Sequence, residues 1–262
     1  MNLARQAGAL ALAIGAVVAL GLGLPRGALG TPSTTFWAPS TPYVQPYGVL
    51  HLTYDTYFQS AAEYPVDVGL EIGALRSKEL QLEAGFDLLY PTLSGDGGLA
   101  LPILLNAKLG APEDAWFKGS PAWSAGILGV GFQPDVTNYD VLHVMLGKSV
   151  PRAGALSLGA YYGLTKDLFR SSDGRESRGG LMAGWASPSL HVPAIDHLQL
   201  AWDVQTGKNV LGATGGGAYL YLTPAIDLLV GPVYFFDERL QPGASRWMWS
   251  VQFDADVNPL TR

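Results

Sequence analysis

The chain has 262 residues, no cysteine, a formal net charge of -6 and only 15% charged residues. Soluble domains carry about a quarter charged residues, so this surface is poor in charge, while 33 glycines, 12 tyrosines and 7 tryptophans are many. The sixteen basic residues form no dense cluster, which argues against nucleic acid as a partner. The absence of cysteine excludes a disulfide framework and a lipid-anchored cysteine after a leader.

Residues 1–30 place one arginine near the start, then an Ala/Leu/Gly/Val run, then small residues before Thr31. This is the layout of a secretory signal peptide. The apolar run from Ala7 to Leu24 is long, so an uncleaved membrane anchor is the alternative. Residues 31–262 read as a single domain without linker or repeat. Pro32, Pro39, Pro42 and Pro46 keep 31–46 from being a regular strand. That stretch is a periplasmic lead-in or a small plug, and the aromatic content of "FWAPSTPYVQPY" favours docking against the rest of the chain.

Twelve extended segments follow, near 46–58, 65–75, 79–90, 99–109, 121–132, 138–149, 154–167, 179–187, 196–206, 216–223, 225–236 and 246–256, with counts of ten or fourteen as alternatives. Each has about the ten residues that a tilted membrane strand needs. Turn residues separate them, as in "RSKE" (76–79), "SGDGG" (94–98), "VPRAG" (150–154) and "TGKN" (206–209). The period is two: Val66, Val68, Leu70 and Ile72 alternate with Asp67, Gly69 and Glu71, and Leu198, Leu200, Trp202 and Val204 alternate with Gln199, Ala201 and Asp203. The tight connections 76–78, 150–153 and 223–224 are all even-numbered, whereas the polar stretch 168–179 is the seventh. Short even turns and longer odd loops suit a barrel with both termini in the periplasm, with connections four (111–120) and eight (188–196) longer than that pattern expects. "GATGGG" (212–217) marks a flexible loop or a place of close chain approach.

The predicted fold is therefore all-β: a closed antiparallel transmembrane β-barrel in the outer membrane, with the lipid bilayer as its surroundings. The whole mature chain resembles a bacterial outer-membrane β-barrel protein. Its opening run "TTFWAPSTPYVQPYGVLHLTYDTYF" (34–58) resembles the start of barrel proteins of Gram-negative bacteria to which no activity is attached. The resemblance implies fold and location, not function. It has one departure: barrels of this kind close their last strand on an aromatic at or near the final residue, and here Phe253 is followed by "DADVNPLTR".

A charge facing lipid at mid-bilayer costs roughly 2–4 kcal/mol, so the polar row of each strand should point inward. That row contains His51, Asp55, Asp67, Glu71, Glu83, Asp87, Asn106, Lys108, His143, His197, Asp203, Asp227 and Asp254. As a pore lining it predicts a narrow acidic channel for small solutes or cations. The alternative is a plugged structural barrel whose carboxylates pair internally and whose loops or N-terminal segment bind a protein partner. A third reading is an outer-membrane lipid-modifying enzyme, since twelve-strand barrels with phospholipase or lipid A deacylase activity are known. His51 and His143 could pair with Asp55 or Asp140, but no serine stands beside either in a recognisable setting, and no nucleophile-elbow, zinc-protease or phosphate-loop motif occurs. No enzyme activity, cofactor or metal is therefore expected. "DVTNYD" (135–140) and "SGDGG" do not match a calcium loop. Trp37, Tyr47, Tyr90, Trp116, Trp123, Trp185, Trp202, Trp247 and Trp249 lie near strand ends and are expected in interfacial girdles. Trp202, Trp247 and Trp249 could also mark a homo-oligomer contact.

Overall fold

A computed structural model of the chain describes residues 36–59, 62–90 and 103–258. The expected signal segment 1–30, residues 31–35, the "SGDGG" turn and the side chain of Tyr90 lie outside the described set. Twelve strands occur among the described residues: β1 (Leu50–Gln59), β2 (Ala62–Gly73), β3 (Gln81–Tyr90), β4 (Ile103–Ala111), β5 (Ala122–Gly131), β6 (Val141–Val150), β7 (Gly154–Gly163), β8 (Gly179–Ala186), β9 (His197–Gln205), β10 (Ala213–Thr223), β11 (Ile226–Phe235) and β12 (Trp247–Val257). Each pairs antiparallel with its sequence neighbour, and β1 pairs with β12 from Leu50↔Val257 to Phe58↔Trp249. The sheet is thus a closed barrel with no free edge, one of the two ways a chain can satisfy its backbone inside lipid.

Alternation decides the two faces. On β6, Val141, His143, Met145 and Gly147 are buried while Leu142, Val144 and Leu146 are exposed. Leu158, Leu181, Leu200 and Leu109 extend the outer apolar belt around the barrel. An apolar belt on the outside of a closed barrel is the signature of a membrane-spanning barrel, and it places this protein in an outer membrane. The shortest and the longest connections agree, although 112–121 and 187–196 are longer connections at the short-turn end. Residues 151–153 and 224–225 are tight turns at one end, and 164–178 and 236–246 are long loops at the other. Short turns lie on the periplasmic side, which puts the start of β1 and the end of β12 there.

Several expected boundaries shift by three or four residues: β1 starts at Leu50 rather than 46, β2 at Ala62 rather than 65 and β6 at Val141 rather than 138. β7 ends at Gly163 rather than residue 167, because the chain then turns to send Phe169 back into the barrel, where it is fully buried. β10 starts at Ala213 rather than 216, so "GATGGG" is mostly strand and not a flexible loop. Its glycines serve close approach instead: a Cβ on Gly217 would sit 2.1 Å from the Val230 carbonyl oxygen and 2.9 Å from Phe36 Cζ.

Eight strands close around a space that side chains alone can fill, and sixteen or more leave an aqueous channel. Twelve leave an intermediate bore, and part of it is filled by residues 36–49. This segment follows the inner wall nearly strand by strand, as an inner belt. Phe36 packs on Tyr219 of β10, Trp37 and Ala38 reach Asp203 of β9, and Ser40 accepts from Ser157 of β7. Pro42 meets Gly147 of β6, Val44 meets Gly110 of β4, Gln45 meets Glu83 of β3, and Gly48 bonds Gly73 of β2 before β1 begins.

Two apolar clusters lie at the outer end of the lumen. Leu89, Leu104, Tyr139, Val141, Met145, Tyr161, Phe169 and Met182 form one, on the β3 to β8 side. Ala213, Val233, Phe235 and Met248 form the other, with Trp37 and Tyr57 packed against it.

Candidate functional site

The polar interior is built by the inward rows of β1, β2, β3, β11 and β12. Asp55 stands directly opposite Asp67, Thr53 opposite Asp254, and Asp254 opposite Asp227. Asp87 continues the row from β3; its Oδ1 would be 2.7 Å from a Cβ placed on Gly69 of β2. The carboxylates Asp87, Asp67, Asp55, Asp254 and Asp227 therefore occupy five consecutive strands. Like charges directly across a strand pair repel, so this row carries an electrostatic cost wherever both members of a pair are ionised.

Several members have partners. His51 Nδ1 lies 2.8 Å from Asp256 Oδ1, and its Nε2 lies 3.7 Å from Asp254 Oδ1. Asn106 Nδ2 donates to Asp87 Oδ2 at 2.6 Å, and Asn106 Oδ1 accepts from the Gly129 N–H at 2.9 Å. Lys108 Nζ is 3.3 Å from Glu83 Oε1, and the Gln45 N–H donates to Glu83 Oε2 at 2.8 Å. Tyr57 reaches Asp55 Oδ2 at 3.4 Å. Among the described residues, Asp55 Oδ1, Asp67 Oδ1 and Asp227 Oδ1 are buried without a hydrogen bond. Lys108 is the one buried Lys or Arg among the described residues.

The remaining inward residues divide by location. Glu71 is buried opposite His51. His143 is buried on β6, and neither ring nitrogen has a hydrogen bond among the described residues. Asp203 is fully buried and accepts the Trp37 and Ala38 N–H groups at 2.9 and 3.2 Å, so it anchors the belt. His197 lies near the periplasmic end, stacked on Tyr221 at 4.0 Å, with Nδ1 2.7 Å from Asp196 Oδ2.

Four contributors, Asp256, Gln252, Tyr219 and Tyr221, are not among the residues expected from the sequence. Asp256 is the nearest partner of His51; it lies in the same alternate row as Gln252 and Asp254, which is the signal that could have found it. Gln252 donates to the Phe36 carbonyl at 2.9 Å. Tyr219 and Tyr221, in the same row of β10, carry an aromatic stack from His197 to Phe36.

The aromatics are placed less uniformly than expected. Trp202, Trp247 and Trp249 are exposed on the barrel exterior, and Tyr47 is exposed at the periplasmic end. Trp116 is exposed in the 112–121 turn, 5.7 Å from Trp123. Trp185 donates its indole N–H to the Ala153 carbonyl at 2.7 Å. Trp37 is not interfacial. It lies inside the barrel, edge-on to Phe235 at 5.1 Å and Tyr57 at 6.0 Å, with its indole N–H on the Leu211 carbonyl at 2.7 Å. The apolar cluster of Ala213, Val233, Phe235 and Met248, at the outer end of β10 to β12, receives the ring.

A cleft of about 520 Å³ opens at the periplasmic end between belt residues 40–43 and β6 to β10, reaching inward to Tyr219 and Tyr221. Its charged lining residues are Lys148 and Arg152, with no carboxylate. Among the described residues, no group of three or more His, Asp or Glu side chains is arranged to hold a metal ion.

No protein-family model and no curated protein matches the sequence. Solved structures similar in fold include a NanC porin, at 10% identity and TM-score 0.46, covering 80% of this chain and 100% of the porin. An outer-membrane channel from Pseudomonas putida F1 has 12% identity and TM-score 0.46, covering 88% and 98%. Outer membrane phospholipase A from Escherichia coli has 14% identity and TM-score 0.43, covering 87% and 99%. The likeness is to the general barrel, and it assigns neither cargo nor activity to this chain.

Proposed function

We propose that this barrel is a narrow channel that passes small cations. One observation carries the reading: five carboxylates follow one another on β3, β2, β1, β12 and β11, two pairs of them directly opposed, with only Lys108 buried as a fixed cation among the described residues. Such a row attracts cations and repels anions in a confined space. A passing cation also relieves the repulsion between Asp55 and Asp67 and between Asp227 and Asp254. No catalytic step belongs to this function; release of fatty acid from phospholipid by the purified protein would overturn that part.

The test is the reversal potential in a planar bilayer under a potassium chloride gradient. The wild-type protein should give a cation-selective potential, and D55N/D254N should move it towards zero. A preference for chloride sinks the proposal. A second reading, a plugged barrel that serves as a scaffold for a protein partner, is supported by the inner belt and the apolar clusters at the outer end. Absence of current at any voltage would favour it.

A further inference from the structure

The belt is held from both ends and along its length. At its start, the Phe36 carbonyl accepts from Gln252, the Trp37 and Ala38 N–H groups donate to Asp203, and the Trp37 indole donates to Leu211. In its middle, the Ser40 carbonyl accepts from Ser157. At its end, the Gln45 N–H donates to Glu83, and Gly48 and Val49 exchange bonds with Gly73. Phe36 and Ala38 are fully buried, and Val44 and Val49 nearly so. The wall is shaped to receive it. A Cβ on Gly147 would lie 2.6 Å from Pro42 Cγ, and one on Gly184 would lie 2.9 Å from both the Ser40 carbonyl oxygen and Ser40 Oγ.

A plug that leaves its barrel should show few buried polar ties and a seat that closes without it. Here the opposite holds. Asp203, fully buried, would lose both backbone donors, and a seat without Cβ atoms on two strands would stand empty. Buried polar groups left unpaired cost about 1–3 kcal/mol each, more when charged, so release is opposed at several points together. We infer that residues 36–49 are a fixed inner wall of the barrel, which narrows the bore by staying in place and, through Phe36 and Trp37, closes the half of it faced by β9 to β12. This deepens the channel reading and rests on it for the identity of what passes, not for the placement of the wall.

The cysteine-free chain allows a direct test in the full-length protein. The S40C/G184C pair has the spacing to form a disulfide, since Ser40 Oγ lies 2.9 Å from the Gly184 Cβ position and a disulfide puts that Cβ about 3 Å from the far sulfur; that Cβ also meets the Ser40 carbonyl oxygen at 2.9 Å and Ser157 Oγ at 2.8 Å, so G184A, with the same crowding and no bond, is the reference. Oxidised and reduced forms should pass the same current; a reduced form that conducts more than the oxidised one makes the belt a mobile gate and overturns the inference. A38C alone, at a fully buried belt position away from the periplasmic cleft, should resist a maleimide in the folded barrel, and rapid labelling would overturn the inference as well. F36A/W37A should raise the conductance several-fold while the barrel still migrates as a folded species on unheated gels. A folded F36A/W37A barrel with unchanged current overturns the narrowing role. If that variant does not fold, F36L/W37L, which keeps the apolar seat but removes both rings, supplies the same reading. Ion selectivity of any current speaks only to the cation proposal, so the two can fail separately.

Discussion

His51 Nδ1 and Asp256 Oδ1 lie 2.8 Å apart on directly paired positions of β1 and β12, across the seam where the barrel closes. The seam joins the two ends of the chain, so its register has no hairpin turn to fix it. A buried side-chain pair at this position supplies that information, because a slip of one residue would turn His51 to the outer face.

Breaking the pair should therefore weaken closure. H51A leaves Asp256 and Asp254 buried without their imidazole, and loss of one partner of a buried pair costs about 3–5 kcal/mol. The temperature at which the compact barrel converts to the unfolded band on gels should fall. H51A/D256A should cost less than the sum of the single variants, as residues in contact do not add. A wild-type melting temperature for H51A would show that backbone pairing alone sets the seam.

Lys108 and Glu83 make the second buried contact of this kind, at 3.3 Å. K108M should destabilise by about 3–5 kcal/mol, since Glu83 stays behind in the interior. Glu83 also accepts the Gln45 N–H, so K108M/E83Q, which removes the charge and keeps an acceptor, should recover much of the loss. Urea unfolding in detergent measures both. Equal destabilisation by the single and double variants would show that the pair contributes through packing and not charge.

The barrel was legible because its rule is local. A period of two with charges confined to one row yields strands, phase and closure without knowledge of any contact, and β6, β9 and β12 follow it along most of their length. His51, Asp55, Glu83 and Asp87 were placed on the inward row by the cost of a charge in lipid, before any partner was known. Relations across the lumen were not legible. Asp203 looked like one more lining carboxylate, but it holds two backbone N–H groups of residues far earlier in the chain. Trp37 was misplaced because an aromatic near a strand start is as suitable for a headgroup girdle as for an internal seat. The difference lies in the apolar seat of Ala213, Val233, Phe235 and Met248, and in the room that Gly215 and Gly217 on β10 leave for the neighbouring Phe36.

Outside the membrane, loops 164–178 and 236–246 meet at Asp237, whose Oδ2 accepts the Ser172 N–H at 2.9 Å and the Ser172 hydroxyl at 2.7 Å. Burial alone would raise this carboxyl, but the Ser172 hydrogen bonds and nearby Arg239 outweigh it and hold it below the usual carboxylate range. A group lowered in the folded state adds stability above its unfolded value, about 3.9 for Asp, and that stability is lost as pH falls through the folded value. Amide exchange at Ser172 should be slow at neutral pH and speed up, after correction for intrinsic rates, below about pH 4. D237N should exchange at a rate that no longer depends on pH in that window. A wild-type loop equally protected at pH 3 and pH 6 would remove Asp237 as the clasp.

The outer belt makes a depth-dependent prediction. Leu158, at mid-strand on β7, is 61% exposed, while Val150 lies at the periplasmic end of β6 beside the 151–153 turn. If both face lipid, an arginine costs about 2–4 kcal/mol at the bilayer midplane and about 0–1 near the interface. L158R should therefore refold into phospholipid vesicles with a clearly lower urea midpoint, and V150R with nearly the wild-type one. In detergent micelles, which deform around a charge, the gap between the two should shrink. The comparison separates lipid exposure from general damage, because both substitutions place the same side chain on the same face. Equal costs in vesicles would mean that β7 does not cross the hydrocarbon where its exposed leucines put it.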